Sequence, residues 1–385
     1  MESWTHFWHT TGLAQLSGST FLLLVVAVLL LVLAIRREFE PLFLTALGAA
    51  ALLANLPGST LAAPGGLLHT LYEVGVRSGL LPALLFLGWG LLADFGPLIA
   101  MPALLFVGAA AQLGIFVTLW LAWNLNATLG HPFTLPDVTA MALVGGGNGA
   151  SLVFVTDRLA PHLLGVAVLT LYACMALLYR LQTPIACLLT TTEERQRLMN
   201  PPRTVCRAER LLFPLLLALP ALLLVPSIAP LLGLLAFGNL LRESSLLERL
   251  HLGGHLRLQA SLLPMLTLLL GLAIGGRLRA EQLLTGGTLL LVCLGLLAFV
   301  VGSGAGMMMA RLLHRRDRPM NPLLGGAGMA AMPLAARIAG KLGREALPNG
   351  RPNDPLLTYA VATNLAGLIG SVLAAGILLA LVGNL

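Results

Sequence analysis

Few residues in this chain can do chemistry, and they sit in unusual places. The stretch Leu143–Leu152, LVGGGNGASL, sets four glycines, an asparagine and a serine inside strongly apolar sequence. A second glycine-rich stretch, NPLLGGAGMAAMPLAAR, occupies residues 321–337 and ends on Arg337. Irregular backbone at membrane depth is tolerated only where protein buries it or where it lines a polar cavity. Paired broken helices of this kind let helix ends and free carbonyls meet near the midplane around an ion or substrate. The glycines free backbone carbonyls, and Asn148 adds a neutral oxygen to the same space. Arg337 can grip a carboxylate through two parallel hydrogen bonds. Close helix packing is the competing account of the glycines, and it is preferred for Gly108, Gly114, Gly302 and Gly306.

Other polar residues are weighed the same way. Asp94, in LLADFGPLI, ends an apolar run. Intramembrane acids are functional by default, but a carboxylate at an interfacial helix end is an equal account. Asn239 is a candidate lining residue, and Arg242–Glu243 reads as an interfacial pair. His6, His9, His131 and His162 lie near helix ends without metal-ligand spacing. No HExxH, CxxC pair, Walker loop or nucleophile elbow is present.

The elements that must position these residues follow from composition. The chain has 385 residues, of which 57% are hydrophobic and 10% charged; soluble domains carry about 25% charged residues. A spanning helix needs about 20 apolar residues. Apolar runs occur at Leu16–Ile35, Glu40–Leu56, Leu80–Leu92, Met101–Trp123, Leu163–Leu181, Leu211–Pro226, Thr285–Met309 and Leu356–Val382. A soluble protein is excluded. The expectation is an all-α polytopic integral membrane protein of the cytoplasmic (inner) membrane, about ten transmembrane helices plus two re-entrant broken hairpins. The first run lacks a basic flank and a cleavage site, so it reads as a retained helix. The four cysteines show no disulfide framework.

The net charge of +7 is local. Arg36 and Arg37 follow the first run. Arg180, Arg195, Arg197, Arg203, Arg207 and Arg210 surround the polar segment 191–210. Arg311, Arg315, Arg316 and Arg318 form another group, and Arg337, Lys341, Arg344 and Arg351 a last one. The positive-inside rule places these groups in the cytoplasm and the N-terminus outside. They also offer a docking surface for an acidic cytoplasmic partner. No aromatic-interleaved basic patch points to nucleic acid.

Two halves resemble each other. SGLLPALLFLGWGLL and ASLLPMLTLLLGLAI align at an offset of 182 residues, which carries Gly146 onto Gly328 and Asn148 onto Ala330. The expected organisation is one membrane domain over 1–385. A first repeat (65–190) carries the break at 143–152, and a second (255–385) carries the break at 321–337. Two inverted repeats, a mobile bundle against a scaffold as in elevator transporters, and association of several copies are the architecture this implies.

Long stretches resemble one family. EFEPLFLTALGAAALLANLP, FTLPDVTAMALVGGGNGASLVFVTDRLAPHLLGVAV, LLTTTEERQRLMNPPRTVCRAERLLFP, NPLLGGAGMAAMPLAARIAGKLG and ATNLAGLIGSVLAAG are similar to the β subunits of sodium-pumping biotin-dependent decarboxylases. Oxaloacetate, glutaconyl-CoA and methylmalonyl-CoA decarboxylases are members of that family. The resemblance covers most of the chain in one order, with a shortened segment around residues 57–75. It implies a subunit that decarboxylates carboxybiotin in the membrane, consumes a proton and exports sodium. A biotin-carrying cytoplasmic carboxyltransferase α subunit and a small single-helix γ subunit would be its partners. The chain's one lysine, Lys341, lies between Gly340 and Leu342 and not between methionines. Any biotin must therefore arrive on a partner.

The resemblance also implies site residues, and here the match departs from the family. The family motif Gly-Gly-Ala-Asp-Gly-Pro-Thr has Asn148, Ala150 and Ser151 at its aspartate, proline and threonine positions. Asn321, Gly325, Arg337 and Asn364 match, but the serine position is Ala330. The family's Tyr-Ser-Tyr-Met-Ala is Tyr172-Ala173-Cys174-Met175-Ala176 here, so its second tyrosine is lost. The sodium ligands implied are Asn148, Ser151, Asn321, Gly325 and Asn364. The catalytic set implied is Arg337, Tyr172, Cys174 and Asp94, with Arg337 on carboxybiotin.

Sodium prefers oxygen ligands, and a carboxylate beside it contributes about 4 kcal/mol at about 4 Å with an effective dielectric near 20. Asn148 lacks that charge, and neither it nor Ala330 titrates. Sodium coupling is therefore expected to be weak, absent or replaced by protons, unless Ser151, Thr156 or Asp94 substitutes. The alternative function is a carrier of a small anion or ion without biotin chemistry.

Overall fold

The computed structural model describes residues 11–12, 14–37, 40–128, 132–246, 255–283, 286–315, 319–347 and 354–383. His6, His9, His131, Arg316, Arg318 and Arg351 lie outside the described residues. No strand occurs among the described residues, so the all-α expectation holds.

Most apolar runs are helical to within a few residues of their expected ends, but Met101–Trp123 is split at Gln112 and continues to Thr128, Leu163–Leu181 continues to Leu189, and further helices join them. In chain order these are α1 (Gly18–Arg37), α2 (Pro41–Ala54), α3 (Leu67–Tyr72), α4 (Leu80–Leu92), α5 (Ala103–Ala111), α6 (Leu113–Thr128), α7 (Leu135–Leu143) and α8 (Gly149–Leu159). They continue with α9 (Leu164–Leu189), α10 (Arg207–Leu224), α11 (Leu234–Glu243), α12 (His255–Gly275), α13 (Gly286–Leu312), α14 (Leu324–Ala327), α15 (Leu334–Ala346) and α16 (Asp354–Val382). Five described segments are long and apolar enough to cross a membrane: Gly18–Arg36, Ala103–Thr128, Pro161–Leu189, Gly287–Leu312 and Pro355–Val382. A sixth is counted if Leu67–Arg77 and Leu80–Leu92, bent by 59°, form one span. The chain is a multi-pass membrane protein. These spans do not establish a total of ten, nor the inversion of the halves.

The outer helices show why a bilayer is required. Phe21, Val25, Leu29 and Ile35 on α1 are exposed, as are Leu212, Leu216, Leu219 and Leu223 on α10. Water would penalise this much exposed apolar surface, whereas lipid chains cover it without cost. Inward faces are small and close. A Cβ at Gly108 would lie 2.6 Å from the backbone of Ala366 and Gly367, and one at Gly114 would lie 2.3 Å from the Ala298 carbonyl. At Gly302 the Ala111 carbonyl is 2.5 Å away, and at Gly306 the Gly325 carbonyl 2.4 Å. Helix backbones touch at all four glycines, as their packing account expects.

The offset of 182 carries α4 onto α12, with Pro82 on Pro264, and the α7–α8 break onto the stretch between α14 and α15. The breaks meet in space: a Cβ at Gly147 would lie 3.4 Å from the Ala330 nitrogen and 3.3 Å from the Ala331 nitrogen.

Candidate functional site

The first break is built from local signals. Thr134 and Asp137 form a capping box that starts α7. After Leu143 the chain tightens through Val144–Gly146, and Gly147 takes a left-handed φ of 71°, which glycine adopts without a Cβ penalty. Asn148 then caps α8. Its Oδ1 accepts from the backbone N–H of Ala150 at 3.0 Å and of Ser151 at 3.3 Å. Ser151 Oγ donates to the Asn148 carbonyl at 3.3 Å and lies 3.5 Å from Ser371 Oγ.

The second break is held by side-chain amides. Gln182 Nε2 donates to the Gly326 carbonyl at 2.8 Å, and Gln112 Nε2 to the Gly328 carbonyl at 3.0 Å. Asn364 Nδ2 donates to the carbonyls of Ala327 at 3.0 Å and Met329 at 2.5 Å. Four consecutive carbonyls thus receive side-chain N–H groups, and Gly326 also accepts from Met329 N–H at 3.4 Å, so the break is satisfied within the protein, as buried carbonyls must be. Asn321 is occupied as well: Nδ2 donates to the carbonyls of Arg195 and Arg197, and Oδ1 accepts from Leu323 N–H. It ties the basic segment to the break.

A cavity of about 410 Å³ lies where the breaks meet. Its lining includes Asn148 and Gly149 from the first break, Ala330 and Arg337 from the second, Tyr172 on α9, and Glu40 at the start of α2. Asn148 is 2% exposed, and its Nδ2 has no hydrogen-bond partner. The Tyr172 ring stacks on Phe43 with centroids 4.1 Å apart. Its hydroxyl lies beside the first turn of α8, 3.0 Å from where a Gly149 Cβ would be. Arg337 is exposed, and among the described residues its guanidinium has no hydrogen bond or ion pair.

Of the expected site residues, the cavity brings together Asn148, Tyr172 and Arg337. The others lie elsewhere. Buried Cys174 packs against α13, with its Sγ 4.0 Å from the Val292 carbonyl. Asp94 is exposed, and its Oδ1 accepts from Gly96 N–H at 2.8 Å, opening the short turn of helix Gly96–Ala100. Gly325 packs against Gly306. Asn364 is buried with its Oδ1 unpaired. Thr156 is buried with its hydroxyl unpaired. Asn239 and Arg242 both donate to the Ala93 carbonyl, and Arg242 lies 3.5 Å from Glu243. No group of three His, Cys, Asp or Glu side chains occurs among the described residues.

Glu40 is the residue that sequence reasoning missed. It lies in the connection between α1 and α2, with a left-handed φ of 41°, which is uncommon and strained for a non-glycine residue. Burial raises its carboxyl above the ordinary range, and the Arg337 charge pulls it part of the way back. The available signal was an acid directly before Pro41 and an apolar run, the same signal that drew notice to Asp94.

Helices long and apolar enough to cross a bilayer, with a pocket lined from two broken segments, define the chain as a multi-pass membrane protein. Its family is also clear. Residues 19–382 match the family model of the sodium-transporting oxaloacetate decarboxylase β subunit, and the chain belongs to that family. It is 38% identical to the oxaloacetate decarboxylase beta chain of Klebsiella pneumoniae, over 98% of this chain and 99% of that one. It is 37% identical to the methylmalonyl-CoA decarboxylase subunit beta of Propionigenium modestum, over 98% of each. It is 36% identical to the glutaconyl-CoA decarboxylase subunit beta of Acidaminococcus fermentans, over 97% of this chain and 96% of that one. The chain is thus a multi-pass protein of the bacterial inner membrane, of a decarboxylase-subunit family.

Proposed function

We propose that this chain is the membrane subunit that decarboxylates carboxybiotin delivered by a cytoplasmic biotin-carrying α subunit, with a single-helix γ subunit and further copies of itself as neighbours. The observation that carries the reading is the cavity between the two breaks, where an unpaired guanidinium (Arg337), a tyrosine hydroxyl and a half-buried carboxyl line one space. The reaction removes the carboxylate from a ureido nitrogen as CO2, and that nitrogen then takes a proton. Arg337 would hold the leaving carboxylate through two N–H bonds. Glu40, the only carboxyl among the lining residues, would supply the proton and regain one from water. Glu40 also follows Arg36 and Arg37, the pair that the positive-inside rule puts on the cytoplasmic side, where biotin would enter.

Sodium export is proposed to be weak here. The oxygens of Asn148 and Asn321 already accept backbone N–H groups, and no carboxylate stands at position 148 to offset the charge of a cation. The test is CO2 release from carboxybiotin by the chain in proteoliposomes, alone and with its biotin-carrying partner. Release above blank is expected, falling about tenfold or more in Arg337→Ala, as loss of a charged hydrogen-bonding group predicts. No release in either setting would overturn the reading and favour a carrier without biotin chemistry.

A further inference from the structure

Asn148 stands where a cation ligand was expected, yet its oxygen faces away from that role. Both backbone N–H groups on Oδ1 require an acceptor. Turning the amide over would set N–H against N–H, so hydrogen bonding fixes its orientation. Its Nδ2 is left buried and without a hydrogen-bond partner, on a residue that lines the cavity. A buried donor without an acceptor is costly, so the break is incomplete without an acceptor atom from outside. The Tyr172 hydroxyl, beside Gly149, can donate into the same space. The positive end of the 11-residue helix α8 also lies there.

We propose that the first break is an oxyanion subsite: Asn148 Nδ2 and the Tyr172 hydroxyl bind one oxygen of a planar carboxylate, and Arg337 balances its charge. The proposal rests on the carboxybiotin reading only for the identity of the natural anion, which would otherwise be a free carboxylate or bicarbonate.

The experiment is thermal stability of the purified chain in detergent, titrated with choline formate, with choline chloride and sodium chloride as controls. Asn148→Ser and Asn148→Asp are compared with wild type, because both keep an oxygen to cap α8. Formate should raise the wild-type midpoint where chloride does not. The apparent affinity should fall about tenfold in Asn148→Ser, the loss of one hydrogen bond to a charged group. Asn148→Asp should lose the formate response. An unresponsive wild type, or variants that respond like it, would overturn the subsite. Carboxybiotin decarboxylation is measured beside it. Formate binding without decarboxylation overturns the functional reading and leaves the subsite standing. Decarboxylation with no formate response, and with Asn148→Ser as active as wild type, overturns the subsite alone.

Discussion

Glu40 shows how one side chain's meaning depends on what faces it. On α1–α2 alone it is an acid before a proline. In the cavity it is a carboxyl kept above its ordinary range by burial, with Arg337 opposing the shift. An acid raised on folding binds more protons in the folded state than in the unfolded chain between its two pKa values. Its contribution therefore turns against the fold as pH rises above the ordinary value of 4.5. Glu40→Gln removes that dependence. As pH rises from 4.5, the melting midpoint in detergent should fall more for wild type than for Glu40→Gln; parallel curves would show that Glu40 is not held up. The other tyrosine-motif residue, Cys174, reads differently for the same reason, since only its packing against α13 shows that it lies away from the cavity.

At the scale of elements, the second break survives because amides do what helix N–H groups would have done. Gln182 Nε2 donates both to the Gly326 carbonyl and to Ser303 Oγ. Gln182→Met keeps length and packing but removes both bonds, leaving the Gly326 carbonyl only a 3.4 Å bond from Met329 N–H. The expected loss is about 1–3 kcal/mol of stability, read as a lower thermal midpoint; an unchanged midpoint would mean that the break re-pairs with water. The basic segment is attached to this break by more than charge. Asn321 holds its carbonyls, Arg197 donates to the Met320 carbonyl at 3.0 Å, and Arg311 pairs with Glu194 at 2.9 Å. A shift of the break would therefore carry the segment with it.

For the whole molecule, the decisive fact is that breaks 182 residues apart close on one another. A cation site needs oxygens from both, and position 330 contributes a methyl group. The double variant Asn148→Asp, Ala330→Ser returns a carboxylate and a hydroxyl at the join. It should gain a stabilisation by sodium that lithium, potassium and choline do not match, while wild type shows little. A wild type that responds equally would show that other oxygens, with Asn364 Oδ1 the buried unpaired candidate, already hold sodium.

The sequence by itself determined the membrane class, the helical segments, the two breaks and the family. Those properties are local or additive: an apolar run must be helical in lipid, and glycines next to polar residues mark where it can be interrupted. The glycines at 108, 114, 302 and 306 were legible as packing positions for the same reason. The sequence also put Asn148, Tyr172 and Arg337 among the site residues. Only the tertiary structure brought Glu40 to them, and only it decided which atom of Asn148 is left without a partner. That choice depends on where two backbone N–H groups of α8 point. Likewise, the carbonyls of the second break are closed by Gln112, Gln182 and Asn364 from three distant helices. Pairings across such separations are set by packing, and no spacing along the chain records them.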